Sequence, residues 1–285
     1  MKKEKTYIEK SPDRLHIIEK IREYELKGWF DKDVENDPPT RPLKVGECDF
    51  TVKKLSTKIA THIANAIGRR FIDKQIKNKT LIIKEVIGIE NYEKLHGGAF
   101  ITCNHFNAFD NFAVYKIFQP YLDKEKRDLY KVIREGNYTS FKGLYGYFFR
   151  HCNTLPLSEN FETLKEFTAA VKELIARGEK ILIYPEQGMW WNYKKPRPLK
   201  DGAFNLAAKN LAPVLPVFIT MTDSDILGAD GFYVQQYSMH VLPPIYPDPD
   251  KSAKENARRM KEQNYAVFVQ VYESVYGKKL SYEEE

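Results

Sequence analysis

A chain of 285 residues, 42% hydrophobic and 29% charged, can bury a sizeable core and is too balanced in composition for wholesale disorder. Three cysteines without CxxC spacing, Cys48, Cys103 and Cys152, argue against a zinc module or a disulfide-stapled framework and fit a reducing cytosol. The net charge of +6 admits nucleic acid, anionic lipid or an anionic substrate as partner. With no apolar signal core and no apolar window as long as a membrane span, the expectation is a chain neither exported by a standard signal nor membrane-spanning.

Residues 1–50 read as a short helix, carried by Leu15, Ile18, Ile21 and Leu26, followed by a proline-containing arm at Asn36 to Pro42. From Thr51 the residues Val52, Leu55, Ile59, Ile63, Ile67, Phe71 and Ile76 draw one apolar stripe, so 51–80 is expected to be a basic amphipathic helix. That segment carries Lys53, Lys54, Lys58, Arg69, Arg70, Lys74, Lys77 and Lys79 against the single acid Asp73. Such a helix packs on its own domain or lies on an anionic bilayer, and both hold if it sits at the edge of the fold.

After Leu81, β-rich runs alternate with helical ones. The runs are "LIIKEVIGIE", "AFITCN", a helix from Phe109 to Phe118, "DLYKVIRE", a helix from Tyr138 to Phe149 and "NTLPL". The alternation continues with the helix "FETLKEFTAAVKELIARG", "KILIYPE", "GAFNLAAKN", "VLPVFITM" and "YVQQYSMHVLPPI". This order predicts an α/β fold, a mixed and largely parallel sheet flanked by helices, over 81–250, behind an N-terminal helical segment. The tail, 251–285, is expected to be a C-terminal helix.

Residues at the carboxyl ends of strands face the usual ligand crevice of such a sheet. "AFITCNHFNAFD" delivers Asn104 and His105 there, with Asp110 five positions later. On one helix, His105 and Asp110 would diverge by about 140°. They meet if His105 lies in the loop and Asp110 in the first helical turn, leaving a neutral imidazole oriented by a carboxylate as a general base without a protein nucleophile. The bland alternative is a hydrogen-bonded structural histidine. The remaining histidines, His16, His62, His96, His151 and His240, are scattered singly, which weakens a metal reading. A second strand, "KILIYPEQG", delivers Glu186 and Gly188 to a turn, and two polar strand ends suggest a shared crevice.

Asn104-His105 followed by Asp110 resembles the NHxxxxD signature of the glycerolipid (lysophospholipid) acyltransferase family, and Tyr184-Pro185-Glu186 is similar to the start of its FPEG motif. The order and separation of the two motifs, the strand Val214 to Thr220 and the block Gly143 to Asn160 extend the resemblance over about 81–245. The resemblance implies a glycerol-3-phosphate acyltransferase-like fold. It implies that His105 deprotonates an acceptor hydroxyl, that Asp110 holds the imidazole, and that Asn104, Glu186 and Gly188 help to bind substrate. The donor would be acyl-CoA or acyl carrier protein, and the acceptor a 1-acylglycerol-3-phosphate-like lysolipid at an anionic membrane surface. The protein would be peripheral on the cytoplasmic, inner face of the cell membrane, with no cofactor, metal or nucleic acid involved.

Two departures bear on the acceptor. Gln187 and Met189-Trp190-Trp191 stand where the family motif runs on to Thr and Arg, and Ser158 stands where the family ends its second block with arginine. Arg150 substitutes for that arginine only if the alignment slips, and Lys194, Lys195, Arg197 and Lys200 are candidates to bind the acceptor phosphate or the phosphates of coenzyme A, or they form a solvated charge run. The alternatives are acylation of a phosphate-free acceptor, such as a glycolipid or amine lipid, and a lipid-binding protein without turnover.

Overall fold

The computed structural model describes residues 8–36 and 39–283. Asp37 and Pro38 of the expected arm lie outside the described residues, and residues 39–44 run without regular structure to a turn at Val45-Gly46.

Helix α1 (Pro12–Leu26) starts at a proline whose missing N–H falls where a helix leaves it unpaired anyway. Helix α2 (Leu55–Lys77) leads into β1 (Ile82–Ile87), a 3-10 turn (Ile89–Lys94) and β2 (Ala99–Cys103). Next come α3 (Asp110–Glu125), β3 (Leu129–Arg134), α4 (Glu135–Ser140), α5 (Gly143–His151) and β4 (Thr154–Leu157). Then come α6 (Phe161–Ala176), β5 (Lys180–Ile183), α7 (Gly202–Lys209), β6 (Val214–Leu227), β7 (Tyr233–Val241) and α8 (Ala253–Tyr276). The helix expected from Tyr138 to Phe149 is broken at Phe141-Lys142. The Arg150 guanidinium takes up the Phe141 and Tyr138 carbonyls at the break, at 3.0 and 3.4 Å.

The seven strands form one sheet in the order β1-β7-β6-β2-β5-β3-β4, parallel throughout except between β6 and β7. The mixed, largely parallel sheet read from the sequence is the observed one. The central strand β2 is buried along its whole length, which explains a sequence apolar at every position but Thr102, whose hydroxyl donates to Asn264. Its side chains alternate: Phe100 joins the core under α6, α7 and α8, while Ala99, Ile101 and Cys103 join the core under α2 and α3. On the neighbouring β5, Ile181 and Ile183 face the first core and Leu182 the second.

Helix α2 docks by a different face from the expected one. Thr61, Ala64 and Ile72 are buried, and a side chain added at Gly68 would meet Cys152 Sγ, so a seam of mostly small residues lets α2 approach its neighbours closely. Four large aliphatic residues of its first half and middle turn outward, from 73% exposure at Leu55 through Ile59 and Ile63 to 36% at Ile67, whereas Ile72 and Ile76 pack inward. Among the described residues no helix is long and apolar enough to cross a membrane.

Candidate active site

Strand β2 ends at Cys103 and places Asn104 at the carboxyl edge of the sheet. The Asn104 amide is fully engaged by β6: Nδ2 donates to the Ile219 carbonyl at 3.0 Å, and Oδ1 accepts from the Ile219 N–H at 2.8 Å. Asn104 therefore anchors the loop to β6. Directly after it, His105 Nδ1 lies 2.7 Å from Asp110 Oδ2. As anticipated, the loop supplies the histidine and the first turn of α3 the acid. Asp110 is fully buried, whereas the imidazole keeps 21% of its side-chain surface in solvent.

Asp110 Oδ2 also accepts the N–H groups of Phe106 and Asn107 at 3.1 and 3.3 Å, so the carboxylate shapes the loop that carries its partner. A proton on Nδ1, donated to Asp110, leaves Nε2 with a free lone pair. No hydrogen bond among the described residues involves Nε2 of His105. The pair can take a proton from an incoming hydroxyl.

Glu186 lies beneath this loop rather than beside a substrate. Its Oε2 accepts the His105 backbone N–H at 3.2 Å and pairs with Arg197 Nη2 at 3.0 Å, while its Oε1 accepts the Arg197 backbone N–H at 2.9 Å. Arg197, expected in an exposed charge run, is buried beneath this loop. Its guanidinium also reaches the carbonyls of Gly188, His105 and Phe30 and stacks on the Trp190 ring. A carboxylate as buried as Glu186 needs such a partner, which is the physical reason the arginine turns inward. Glu186, Gly188 and Arg197 thus support the loop that carries His105.

Most of the other cations have partners as well. Lys195 pairs with Glu25 of α1, and Lys200 lies 3.5 Å from Asp31. Lys194 is exposed, with its ammonium 5.9 Å from the Tyr276 ring. Arg150 is spent on the α4–α5 break. At Ser158, where the resembled motif carries arginine, the hydroxyl accepts the Asn160 N–H at 3.1 Å. The basic loop after the Pro-Glu turn therefore fastens the N-terminal segment across the site. Trp190 belongs to this fastening: it is buried with Ile21 and Val34, and its indole N–H donates to the Lys32 carbonyl at 3.0 Å.

Sequence reasoning missed Tyr184. Its hydroxyl donates to Asp110 Oδ1 at 2.7 Å, and its ring stacks on the His105 imidazole with centroids 4.0 Å apart and planes at 20°. The signal was present in the alternation of β5, which carries residue 184 to the same side as Leu182, toward α3. Among the described residues no three His, Cys, Asp or Glu side chains gather to hold a metal ion.

The model of the Acyltransferase family matches residues 84–220, a stretch that holds both strand ends and every residue of the pair and its support. That stretch, just under half of the chain, is similar to the Acyltransferase family. Over the whole fold, the chain is similar to the crystal structure of the 1-acyl-sn-glycerophosphate (LPA) acyltransferase PlsC from Thermotoga maritima. The two share 16% identity and a TM-score of 0.51, over 94% of this chain and 97% of that one. No curated protein matches the chain in sequence.

Proposed function

We propose that this acyltransferase moves a fatty acyl group from an acyl thioester, carried on coenzyme A or on acyl carrier protein, to the hydroxyl of a lysolipid. The observation that carries the reading is the contact between His105 Nδ1 and the buried Asp110, with the imidazole still reaching solvent. His105 Nε2 takes the hydroxyl proton as the oxygen attacks the thioester carbonyl. Collapse of the tetrahedral intermediate expels the thiolate, which takes the same proton back from the imidazolium. Products are the ester and the free thiol, and the base is regenerated.

The lipid nature of the substrates is supported by the outward face of α2. Exposed apolar side chains in a row, flanked by Lys58 and Arg70 and followed by Lys74, Lys77 and Lys79, suit an anionic bilayer better than water. Rings continue from that face toward the pair. Tyr145 and Phe112 each contact Phe71, and Phe112 contacts Phe109, the residue before Asp110. We place the enzyme on this account as a peripheral protein on the cytoplasmic face of the membrane.

The acceptor has two readings. A 1-acylglycerol-3-phosphate, the kind of acceptor named for the Thermotoga maritima enzyme, needs a phosphate contact. Of the cations expected to give it, Arg197, Lys195 and Arg150 hold internal partners and Lys194 stays exposed, so the buried clamp is lacking, which favours a phosphate-free lysolipid. Lysophosphatidic acid and a neutral lysolipid, offered together with an acyl-CoA, decide the point. Preferential acylation of the neutral acceptor supports the second reading, and strong preference for the phosphate restores the first. Absence of any ester with either acceptor and either donor would sink the proposal.

A further inference from the structure

The geometry points to Tyr184 as a positioning residue of this site: its hydroxyl pins Asp110, its ring backs His105, and together they set the pH range in which His105 works as a base. The inference rests on the function proposed above, in that it concerns the same histidine, but it concerns a residue with no part in the proton transfer itself.

Asp110 Oδ2 is occupied by three donors, His105 Nδ1 and the N–H groups of Phe106 and Asn107. Oδ1 receives Tyr184, so each carboxylate oxygen is satisfied and the carboxylate plane is fixed. The stacked ring covers one face of the imidazole, leaving rotation of His105 away from Asp110 obstructed on that side. Strand alternation supplies both contacts at once. Burial first, and then the charge of Asp110, push the Tyr184 hydroxyl well above the ordinary phenol range, so it remains a donor. A phenylalanine, which the resembled motif carries at this position, would retain the ring and lose the hydrogen bond.

A donor on Asp110 spreads the carboxylate charge and weakens its pull on a proton-bearing imidazole; removing it strengthens that pull. The other ionisable groups around the pair are Cys103 on β2, Tyr237 on β7, and Glu186 with Arg197 below the loop. Burial pushes both the Cys103 thiol and the Tyr237 hydroxyl up, so they stay neutral across the working range, and Glu186 and Arg197 are paired with each other. Tyr184→Phe leaves all four in place.

The test compares the wild type with Tyr184→Phe, which keeps the stack, and Tyr184→Leu, which removes ring and hydroxyl. The His105 ring-nitrogen signals are followed by NMR across pH in histidine-labelled protein, assigned by their loss in His105→Ala. In Tyr184→Phe the titration midpoint should move up by about one pH unit, and the acidic limb of kcat/KM for thioester-dependent transfer should move with it. The kcat should fall about tenfold with KM little changed, and Tyr184→Leu should fall further, so that Phe acts as a partial rescue. An unmoved midpoint in Tyr184→Phe overturns the inference. Because the NMR arm needs no turnover, a wild type that shows no transfer sinks the proposed function while still deciding the role of Tyr184.

Discussion

Glu186 and Arg197 form an ion pair directly beneath His105, with side chains 3% and 1% exposed. The pair holds the catalytic loop from below through the His105 N–H and carbonyl, and it ties that loop to the Phe30 carbonyl of the N-terminal segment. Breaking one member leaves the other charge buried and alone. Arg197→Ala should lower stability by about 3–5 kcal/mol in denaturant unfolding, while the double variant Glu186→Gln, Arg197→Met should recover most of the loss. Equal stability of the wild type and Arg197→Ala would show that the pair is solvated.

Lys195 reaches Glu25 on α1, with both side chains mostly covered. Its role is to fasten α1 over the loop after β5. Lys195→Ala should lower stability by about 1 kcal/mol and leave the acceptor KM unchanged. A rise in KM confined to phosphate-bearing acceptors would return Lys195 to the substrate site.

Leu55, Ile59, Ile63 and Ile67 of α2 face outward because its seam of mostly small residues faces inward, and their burial in a lipid layer would contribute about 1.5–3 kcal/mol per side chain. Ile63→Glu should weaken binding to anionic vesicles at least about tenfold, since 1.4 kcal/mol is a factor of ten, with unchanged thermal unfolding. Vesicle sedimentation reads the first and calorimetry the second. Undiminished binding would remove α2 from the interface.

His240 is buried on β7 beside Thr220 Oγ1, 3.1 Å away, and burial holds its imidazole below the ordinary histidine range. The unfolded chain therefore binds a proton at a pH where the folded one does not. Stability is unaffected by this group above about pH 6.5 and declines as pH falls below it. His240→Gln should flatten the stability profile below that pH, as followed by denaturant midpoints; an identical slope in the variant would contradict the assignment.

The sequence made the sheet legible because a buried parallel strand declares itself as a largely apolar run, as in Ala99 to Cys103, broken only by Thr102, and Ile181 to Ile183. It made His105 and Asp110 legible because strand ends face the crevice. Arg197 was not legible: "KKPRPLK" has the composition of a surface loop, and only the tertiary approach of Glu186, Trp190 and the Phe30 carbonyl turns the arginine inward. The stripe on α2 was visible, but not its direction, since Thr61, Ala64 and Gly68 offer no hydrophobic signal and yet give the closer packing. Asn104 looked like a substrate ligand because a polar residue at a strand end fits either purpose, and the Ile219 backbone claims both of its amide atoms.

The most direct measurement mixes an acyl-CoA, a lysolipid and anionic vesicles with purified wild type, His105→Ala and Asp110→Asn, and follows new ester and released thiol together. Wild type should form the two in equal amounts, and each variant should lose activity by about 10²–10⁴ while retaining wild-type unfolding behaviour. Ester formation by His105→Ala at the wild-type rate would contradict the assignment of His105 as the base.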